Sequence, residues 1–438
     1  MNPSEIYKLY ITKKCTICID SRSNQIKGSI FFAIQGTEFN GNDFAEDAIA
    51  KGAIVAIVDD IKKKNKSFII VKDVLKTLQS IARIHREKHN IPIIAITGSN
   101  GKTTTKDILS KIIASKYKTL STQGNFNNHL GLPLTILSLK NDHDIAIVEM
   151  GANHVGEIKT LCEIAKPTHG IITNIGSAHI GEFGGVQNII AAKNELFDYL
   201  KSEEKWIIYN ESDAIIKKLV NNYPKSYTYN SPLLPINKNN NSIESCEYKC
   251  DPFISINYNN ILTIKTKILG KYNINNIIAS IKIATLFNIS NQQIKKSLEN
   301  IELKNNRSEF INTNKNNILL DAYNANPTSM SIGILNFIEI AEFLKYKNTL
   351  FILGDMLELG HKEIEYHQEI VNLLEKNNVK ECILVGERFN QTNCSSNYQK
   401  VISIKACITL LSKSNIKKKS IFIKGSRQLT LEETIEFL

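Results

Sequence analysis

The stretch AITGSNGKTTTK, residues 95–106, combines the residue types that proteins use to hold a phosphate group. Gly98 and Gly101 can take backbone angles that other residues avoid, so successive N–H groups can converge on phosphate oxygens. Lys102 adds a positive charge, and a helix that opens at Thr103 adds the partial charge of its N-terminus. The Thr103 hydroxyl is then placed to bind a magnesium ion that bridges the outer phosphates. The predicted nucleotide-phosphate loop comprises Gly98, Ser99, Asn100, Gly101, Lys102, Thr103 and Thr104.

This loop is shorter than the usual GxxxxGK[ST] pattern, because Gly98 lies only three residues before Gly101. The alternative is a solvated turn in front of a helix. The apolar run IPIIAIT before the loop predicts a strand. A strand, a glycine-rich loop and a helix in succession favour the phosphate interpretation.

Two further candidates follow predicted strands downstream. Glu149 ends the apolar run DIAIVEMG, and His179 follows GIITNIG. Ligands of open α/β sheets bind at the carboxyl ends of the strands, and a carboxylate there is a candidate magnesium ligand. The alternatives are a glutamate in water at the rim of the sheet and a histidine with only a structural hydrogen bond. Lys193, in VQNIIAAKNELFDYL, would from local pattern alone be a solvated helix lysine.

These side chains need a scaffold of alternating strands and helices. From Ile91 onwards the chain reads IIAIT, KDILSKIIASK, DIAIVEMG, HVGEIKTLCEIA and HGIITNIG. This alternation predicts an α/β fold with a largely parallel sheet covered by helices. Residues 1–88 mix short strands with one amphipathic helix, VLKTLQSIARIHREKH. The chain turns polar and irregular near 230–262, and a third alternating unit starts after Arg307.

The 438-residue chain is long enough for about two to four domains. No apolar stretch approaches the length of a membrane span, and the N-terminus lacks the apolar segment of a signal peptide. We therefore expect a cytoplasmic protein, not inserted in a membrane, whose eight cysteines are reduced thiols.

The cysteine pairs Cys15–Cys18 and Cys246–Cys250 leave a four-thiolate zinc site as an alternative. The first pair lies in a strand-like run, CTICID, in which alternate side chains face opposite ways. The second pair lies in an Asn-rich region that we predict to be exposed. Neither context favours a shared metal ion.

The net charge of +11 permits a nucleic-acid partner, because a basic surface attracts polyanions. The lysines are spread along the chain without interleaved aromatic residues. We therefore expect a solvated basic surface and no nucleic-acid partner, with any functional charge serving anionic small substrates.

Motifs along nearly the whole chain resemble those of the Mur ligase family of peptidoglycan synthesis. The matching pieces are DSR at 20–22 with SIFFAIQG, TGSNGKTTTK, GNFNNHLGLPLT, VEMGANHVGEI, NIGSAHIGEFG, AAKNELF, YNINN, DAYNANPTSM, LGDMLELG and KGSR. The shortened phosphate loop is a trait of this family, shared with folylpolyglutamate synthetases. YNANPTSM and KGSR are most similar to the members that add D-alanyl-D-alanine, and less to the sister enzymes that add the third peptide residue.

The resemblance implies a three-domain Mur ligase architecture. Residues 1–88 would bind a UDP-sugar, residues 89–307 would form a P-loop ATPase-like parallel-sheet domain, and residues 308–438 a Rossmann-like domain on the D-Ala-D-Ala side. The implied reaction is ATP-dependent ligation of D-Ala-D-Ala to UDP-N-acetylmuramoyl-tripeptide through an acyl phosphate, by a monomer that uses Mg²⁺. The alternatives are a sister amide ligase and, from another class, a P-loop switch that acts on nucleic acid.

The resemblance also implies roles for single residues. The catalytic set would be Lys102, Glu149, His179 and Lys193. Lys193 would be carbamylated, and magnesium would be held by Thr103, Glu149, His179 and Lys193. Asn273 and Asn276 would contact the adenine of ATP. Arg307 would contact its phosphates, and Asp321 its ribose. The substrates would be contacted by Ser21, Arg22, Asn125, Asn127, Asn128, Tyr323, Asn324 and Asn326. Two positions depart from the family pattern: Tyr272 replaces a histidine, and Asn40 replaces the acid of an Asp-Gly-His loop.

Overall fold

The computed structural model describes residues 1–63, 65–176, 180–233, 246–303, 306–346 and 348–438. His179 therefore lies outside the described residues. The chain forms two compact units. The first comprises Met1–Ala95, Tyr117–Ala152 and Gly156–His169, and the second comprises Ile96–Lys116, Asn153–Val155 and Gly170–Leu438.

The N-terminal part of the chain is built on a four-stranded parallel sheet, in the chain order of its strands. The strands are β1 (Thr16–Cys18), β2 (Ser29–Phe32), β3 (Val55–Val58) and β4 (Phe68–Ile70). The helices are α1 (Pro3–Lys13), α2 (Ala45–Ala50) and α3 (Val74–Glu87), with a 3-10 turn at Gly41–Phe44. The predicted strands and the predicted helix α3 are confirmed. The sequence patterns did not predict the helices α1 and α2.

A six-stranded sheet carries the predicted phosphate loop. Its strands are β5 (Ile93–Thr97), β6 (Thr119–Ser121), β7 (Ile145–Glu149), β8 (His169–Ile172), β9 (Trp206–Asn210) and β10 (Ser226–Tyr229). Their order in the sheet is β10-β9-β8-β5-β7-β6. The helices of this stretch are α4 (Lys102–Ile113), α5 (Gly131–Leu137), α6 (Glu157–Ala165), α7 (Ile180–Phe183), α8 (Val186–Ser202) and α9 (Ala214–Val220).

The prediction that residues 230–262 are irregular is wrong for residues 246–262. A three-stranded antiparallel sheet comprises β11 (Cys246–Cys250), β12 (Phe253–Tyr258) and β13 (Leu262–Leu269). Asn259 and Asn260 turn the chain between β12 and β13 with φ of 55° and 54°, a conformation that asparagine tolerates. Alternate residues of β13 are buried, so the period-two pattern of LTIKTKIL was the available signal. The helices α10 (Asn273–Leu286) and α11 (Asn291–Glu299) follow.

The C-terminal part contains a second six-stranded sheet, in the order β14-β15-β19-β16-β17-β18. These strands are β14 (Glu309–Asn312), β15 (Asn317–Asp321), β16 (Thr349–Gly354), β17 (Cys382–Val385), β18 (Tyr398–Val401) and β19 (Ser420–Lys424). Only β14 runs antiparallel to its neighbour among the pairings of this sheet. The helices are α12 (Pro327–Phe343), α13 (Glu363–Lys376), α14 (Glu387–Asn390) and α15 (Ile404–Lys413), with 3-10 turns at Gly360–Lys362, Arg427–Leu429 and Leu431–Phe437. The predicted α/β class with parallel-sheet domains is confirmed.

Within the described parts of the chain, no helix is long and apolar enough to pass through a membrane. All eight cysteines are free. No group of three or more His, Cys, Asp or Glu side chains that could hold a metal ion occurs among the described residues, so the structure gives the four-thiolate zinc alternative no support.

Candidate functional site

The predicted phosphate loop joins β5 to α4, and α4 begins at Lys102. Gly98 and Gly101 have φ angles of 142° and 80°. Residues with a side chain strongly disfavour such positive φ angles, whereas glycine adopts them readily. A Cβ at Gly98 would also lie only 2.1 Å from the hydroxyl oxygen of Thr173. Both glycines are therefore required by the backbone path, and Gly98 is required by a close contact as well.

Residues directly after β8 hold this loop in place. The N–H of Ser99 donates to the backbone carbonyl of Asn174 at 3.0 Å. The N–H of Asn100 donates to Oδ1 of Asn174, also at 3.0 Å. The carbonyl of Asn100 accepts from Nδ2 of Asn174 at 2.9 Å and from the hydroxyl of Thr173 at 2.6 Å. Sequence reasoning missed Thr173 and Asn174, although they stand at the carboxyl end of a strand, where the rule used for Glu149 applies.

The ammonium group of Lys102 lies across the loop. Its Nζ donates to the carbonyl oxygens of Gly98 at 2.8 Å and Ser99 at 3.2 Å. Thr103 and the buried Thr104 complete the first turn of α4. A lysine and a helix N-terminus at one loop create a positive potential that suits a polyphosphate.

The motif DAYNANP of the C-terminal part contacts the same loop through Asn326. This residue caps α12 by accepting from the N–H of Ser329 at 2.9 Å, and its Nδ2 donates to Oδ1 of Asn100 at 2.9 Å. Oδ1 of Asn324 accepts from the N–H of Ala325 at 2.8 Å. The structure thus brings Asn100 and Asn326 together, which local sequence pattern could not indicate.

Three predicted site residues lie next to the first two strands of the C-terminal sheet: Arg307 precedes β14, Asp321 ends β15, and Tyr323 follows β15. The guanidinium carbon of Arg307 lies 3.6 Å from the ring centroid of Tyr323, a cation–π contact. Oδ1 of Asp321 accepts from the N–H of Ser308 at 3.2 Å, and its Oδ2 accepts from Nζ of Lys424 at 2.5 Å. Sequence reasoning quoted KGSR but did not select Lys424.

Tyr272, at the position where the family pattern has histidine, is partly buried beside this cluster. Its hydroxyl is 2.5 Å from Oγ of Ser308. Burial, and then the nearby charge of Asp321, raise the pKa of Tyr272 well above its usual value, so the phenol stays neutral. The residue therefore contributes a hydrogen bond and no charge.

Lys193 is not the solvated lysine that its local pattern suggests. It lies on α8 and is only 2% exposed. Its Nζ is 5.3 Å from the ring centroid of Phe183, on α7.

In the first compact unit, Glu149 ends β7 as a carboxylate that is only 2% exposed. Its Oε1 accepts from Nδ2 of Asn127 at 2.8 Å, and its N–H donates to the hydroxyl of Thr122 at 3.0 Å. The alternative of a glutamate in water at the rim of the sheet is therefore wrong. Sequence reasoning missed Thr122.

Asn125 and Asn128, which the sequence predicts to contact the substrates together with Asn127, also lie in the connection between β6 and α5. Oδ1 of Asn128 accepts from the N–H groups of Leu130 and Gly131, at 3.1 and 2.9 Å, and so orders the start of α5. Asn125 is exposed, and its backbone carbonyl accepts from the N–H of Asn127 at 2.7 Å. Asn125 and Asn128 are therefore both accessible to solvent, whereas Asn127 is half-buried.

The predicted uridine-side residues follow β1 in the same unit. Ser21 is buried, whereas the side chain of Arg22 is 85% exposed. Arg22 makes a two-point ion pair with Asp20, with both N···O distances at 3.0 Å. Oδ1 of Asn40 accepts from the N–H and from Nδ2 of Asn42, at 3.0 and 2.8 Å, so it orders the 3-10 turn there.

Asn273 and Asn276 lie on α10, and both are buried. Nδ2 of Asn276 donates to Oδ1 of Asn273 at 2.9 Å, and Nδ2 of Asn273 donates to the carbonyl of Leu269 at 2.7 Å. Both amides are thus engaged within the protein.

Three family descriptions match successive parts of the chain. They are "Mur ligase family, catalytic domain" at residues 16–97, "Mur ligase middle domain" at 96–284 and "Mur ligase, glutamate ligase domain" at 306–427. The UDP-N-acetylmuramoyl-tripeptide–D-alanyl-D-alanine ligase of Bacillus subtilis (strain 168) is 31% identical over 93% of this chain and 90% of its own length.

Solved structures with the same fold cover the chain as completely. MurF from Acinetobacter baumannii superposes with a TM-score of 0.83 at 26% identity, over 98% of this chain and 97% of its own. The fold is also that of MurF ligase from Thermotoga maritima in complex with ADP, with a TM-score of 0.82 at 24% identity over 97% and 96% of the two chains. With matches of this extent to the family descriptions, a curated relative and solved structures, the chain belongs to the Mur ligase family.

Proposed function

We infer that this protein is the ATP-dependent ligase that joins D-alanyl-D-alanine to UDP-N-acetylmuramoyl-tripeptide, giving the UDP-muramoyl-pentapeptide precursor of peptidoglycan. The observation that carries the inference is the phosphate loop, in which Lys102 opens α4 and Thr173 and Asn174 order the backbone. The name of the Bacillus subtilis relative supplies the two substrates. ATP use follows from membership of this ligase family.

The chemical problem is the formation of an amide from a carboxylate and an amine in water. A carboxylate does not react with amines, so its oxygen attacks the γ-phosphorus of ATP, ADP leaves, and an acyl phosphate forms. The amine of D-Ala-D-Ala then attacks the acyl carbon, and the tetrahedral intermediate releases inorganic phosphate and a proton. The Lys102 ammonium and the N-terminus of α4 offset the charge when one anion approaches another.

We propose that magnesium binding uses Thr103, Glu149, His179 and Lys193. The hydroxyl of Thr103 and the buried carboxylate of Glu149 are oxygen donors of the type that magnesium prefers. The amine of Lys193 is not such a donor, whereas a carbamate on it would supply an anionic oxygen. When bound, magnesium neutralises phosphate charge during transfer.

The remaining assignments stay proposals. Asp321 would bind the ribose and Arg307 the phosphates. Ser21 and Arg22 would contact the uridine end, and the peptide and sugar would meet Asn125, Asn127, Asn128, Tyr323, Asn324 and Asn326. The domain division at 88 and 307, a monomeric state and a cytoplasmic location are proposed with them.

A phosphate-release assay with substrates left out one at a time tests the proposed function. Release should require ATP, the UDP-tripeptide and D-Ala-D-Ala together, and mass spectrometry should show the pentapeptide product. Running the lysine and diaminopimelate tripeptides in parallel identifies the third residue. Release with a single amino acid or a folate in place of D-Ala-D-Ala would indicate a sister ligase, and release stimulated by polynucleotide would indicate a nucleic-acid switch.

A further inference from the structure

The short helix α7 contacts a loop of the C-terminal part of the chain, residues 355–360, which we call the docking loop. The N–H of Gly181 donates to the carbonyl of Glu358 at 3.1 Å. A Cβ at Gly181 would lie 2.4 Å from the backbone nitrogen of Gly360 and 2.7 Å from the carbonyl carbon of Leu359. These are backbone atoms, which cannot turn aside as the end of a side chain can, so only glycine permits this approach. Both sides of the contact belong to the second compact unit.

An apolar side chain attaches α7 to the same part of the chain. Ile180 packs against a hydrophobic core cluster formed mostly by the C-terminal part, and this cluster includes Met356 and Leu359 of the docking loop. Both of these side chains are buried. An apolar contact thus adds to the hydrogen bond and the close backbone approach at Gly181.

The backbone of the docking loop is held by buried side chains. The N–H of Met356 donates to Nε2 of His367 at 2.9 Å, and the N–H of Leu357 donates to Oγ of Ser426 at 3.0 Å. Both His367 and Ser426 are buried, so water does not compete for these hydrogen bonds. The docking loop therefore presents a defined surface to α7.

The other end of α7 covers Lys193 of α8. Phe183, the last residue of α7, is buried, and its ring centroid lies 5.3 Å from Nζ of Lys193. The carbonyl of Phe183 accepts from Nδ2 of Asn188 at 2.7 Å, which ties the end of α7 to the first turn of α8. Gly184 and Gly185, with φ of 71° and 137°, join the two helices. The four residues of α7 therefore connect the docking loop to the ring that covers Lys193.

We propose that α7 couples the C-terminal part of the chain to Lys193. Contact with the docking loop seats α7, and the seated helix holds Phe183 over the amine. Phe183 thereby acts as a positioning residue that keeps solvent away from Lys193, and loss of the contact at Gly181 lets α7 move about its glycine joint and uncovers the amine. The proposal deepens the proposed function and rests on it only for the chemical use of Lys193.

The test measures how fast N-acetoxysuccinimide acetylates the Lys193 amine, by mass spectrometry of peptides, in buffer freed of carbon dioxide so that the amine carries no carbamate. Lys201, on the same helix, is the internal reference. The variants are Gly181→Ala, which puts a methyl group against the docking loop, Phe183→Ala, which removes the covering ring, and the double variant. Val186→Ala is the matched control, because it changes an exposed side chain at the start of α8.

In the parent protein, Lys193 should react about tenfold or more slowly than Lys201, because its amine becomes accessible only when the structure opens locally. Gly181→Ala and Phe183→Ala should each raise the Lys193 rate by about tenfold and leave the Lys201 rate unchanged, because each favours this local opening. The double variant should react no faster than Phe183→Ala, since Gly181 acts through Phe183. Val186→Ala should behave as the parent protein.

A Lys193 rate in Gly181→Ala equal to that of the parent would overturn the proposal. An equal rise at Lys201 would also overturn it, in favour of a general loosening, and so would additive gains in the double variant. If Gly181→Ala does not fold, as judged by circular dichroism, Ile180→Ala decides the matter, because it removes the apolar contact without a clash. Acetylation requires neither nucleotide nor peptide substrate, so failure of the proposed ligation in the parent protein is a separate result.

Discussion

The ammonium nitrogen of Lys424 lies 2.5 Å from Oδ2 of Asp321, and the two residues face each other on the neighbouring parallel strands β19 and β15. The side chain of Lys424 is only 3% exposed. Its Nζ also donates to the carbonyl of Asn324 at 3.1 Å. One buried charge thus orders both the carboxylate proposed to bind ribose and the turn that follows it.

Replacement of Lys424 by methionine should destabilise the protein by about 3 kcal/mol or more, because it leaves a mostly buried carboxylate without its cation. Urea unfolding measures the loss. Lys419→Met is the matched control, since Lys419 pairs with the exposed Glu381 and should cost no more than about 1 kcal/mol. Adding Asp321→Asn to Lys424→Met should recover part of the loss. Equal stability of the two lysine variants would contradict the importance of this pair.

Lys102→Ala should abolish ADP formation and leave a folded protein, because the loop loses its only side-chain cation while its backbone contacts to Asn174 remain. The measurement is ADP production with both peptide substrates present, beside a circular dichroism spectrum. Lys111→Ala, at the exposed end of the same helix, should retain full activity. Near-normal turnover by Lys102→Ala would remove Lys102 from the mechanism.

Glu149→Gln should fold, because it keeps the shape of the side chain, but it should require about tenfold more magnesium for half-maximal activity, since a charged oxygen ligand is lost. A magnesium titration of phosphate release measures this shift. The control is Glu163→Gln, which alters an exposed pair with Arg83. An unchanged magnesium requirement would leave Glu149 with a structural role only.

Lys193→Ala should lose most activity if a carbamate on this lysine supplies an anionic magnesium ligand. A small carboxylic acid added to the buffer should then restore part of the turnover, because it can occupy the vacated space. The same acid should not help Lys102→Ala. Full activity of Lys193→Ala would exclude a catalytic role, and loss without rescue would count against the carbamate.

The free energy of unfolding should fall as the pH drops from 6.5 towards 4, in part because of His85. Burial lowers the pKa of His85 from 6.5 to about 4, and its ring meets the hydroxyl of Tyr7 at 3.1 Å and the carbonyl of Leu139 at 3.0 Å. As the pH falls, the His85 imidazole therefore takes up a proton in the unfolded chain before it does so in the folded protein. This difference lowers the free energy of unfolding by up to about 3 kcal/mol by pH 4. Burial also lowers the pKa of His169 to about 4, so His169 adds a second contribution.

Urea unfolding of the parent protein and of His85→Gln, at several pH values in this range, measures the contribution of His85. The variant should be less stable at pH 7, where its hydrogen bonds are altered, but its stability should depend less steeply on pH. Identical slopes for the two proteins would show that His85 does not titrate in the assumed way.

Local patterns predicted much of the fold because periodicity is a property of neighbouring residues. The strand before Gly98, the helix after it and the alternation through β15, β16 and β19 could all be predicted in this way. The sheet β11–β13 was missed, although β13 alternates buried and exposed residues, because the many asparagines of the region suggested an irregular chain.

By itself, the sequence determined the phosphate loop, the α/β class and the family, since each depends on residue types at short spacings. Only the tertiary structure decided which side chains support that loop. Asn174 and Asn326 form hydrogen bonds with Asn100 of the loop from 74 and 226 residues along the chain, and Asn276 accepts one from Thr105 of α4 from 171 residues along. It likewise decided that Lys193 is buried and that Lys424 faces Asp321. The physical reason is that burial and hydrogen-bond partners depend on which strands and helices pack together, and no short window of residues carries that information.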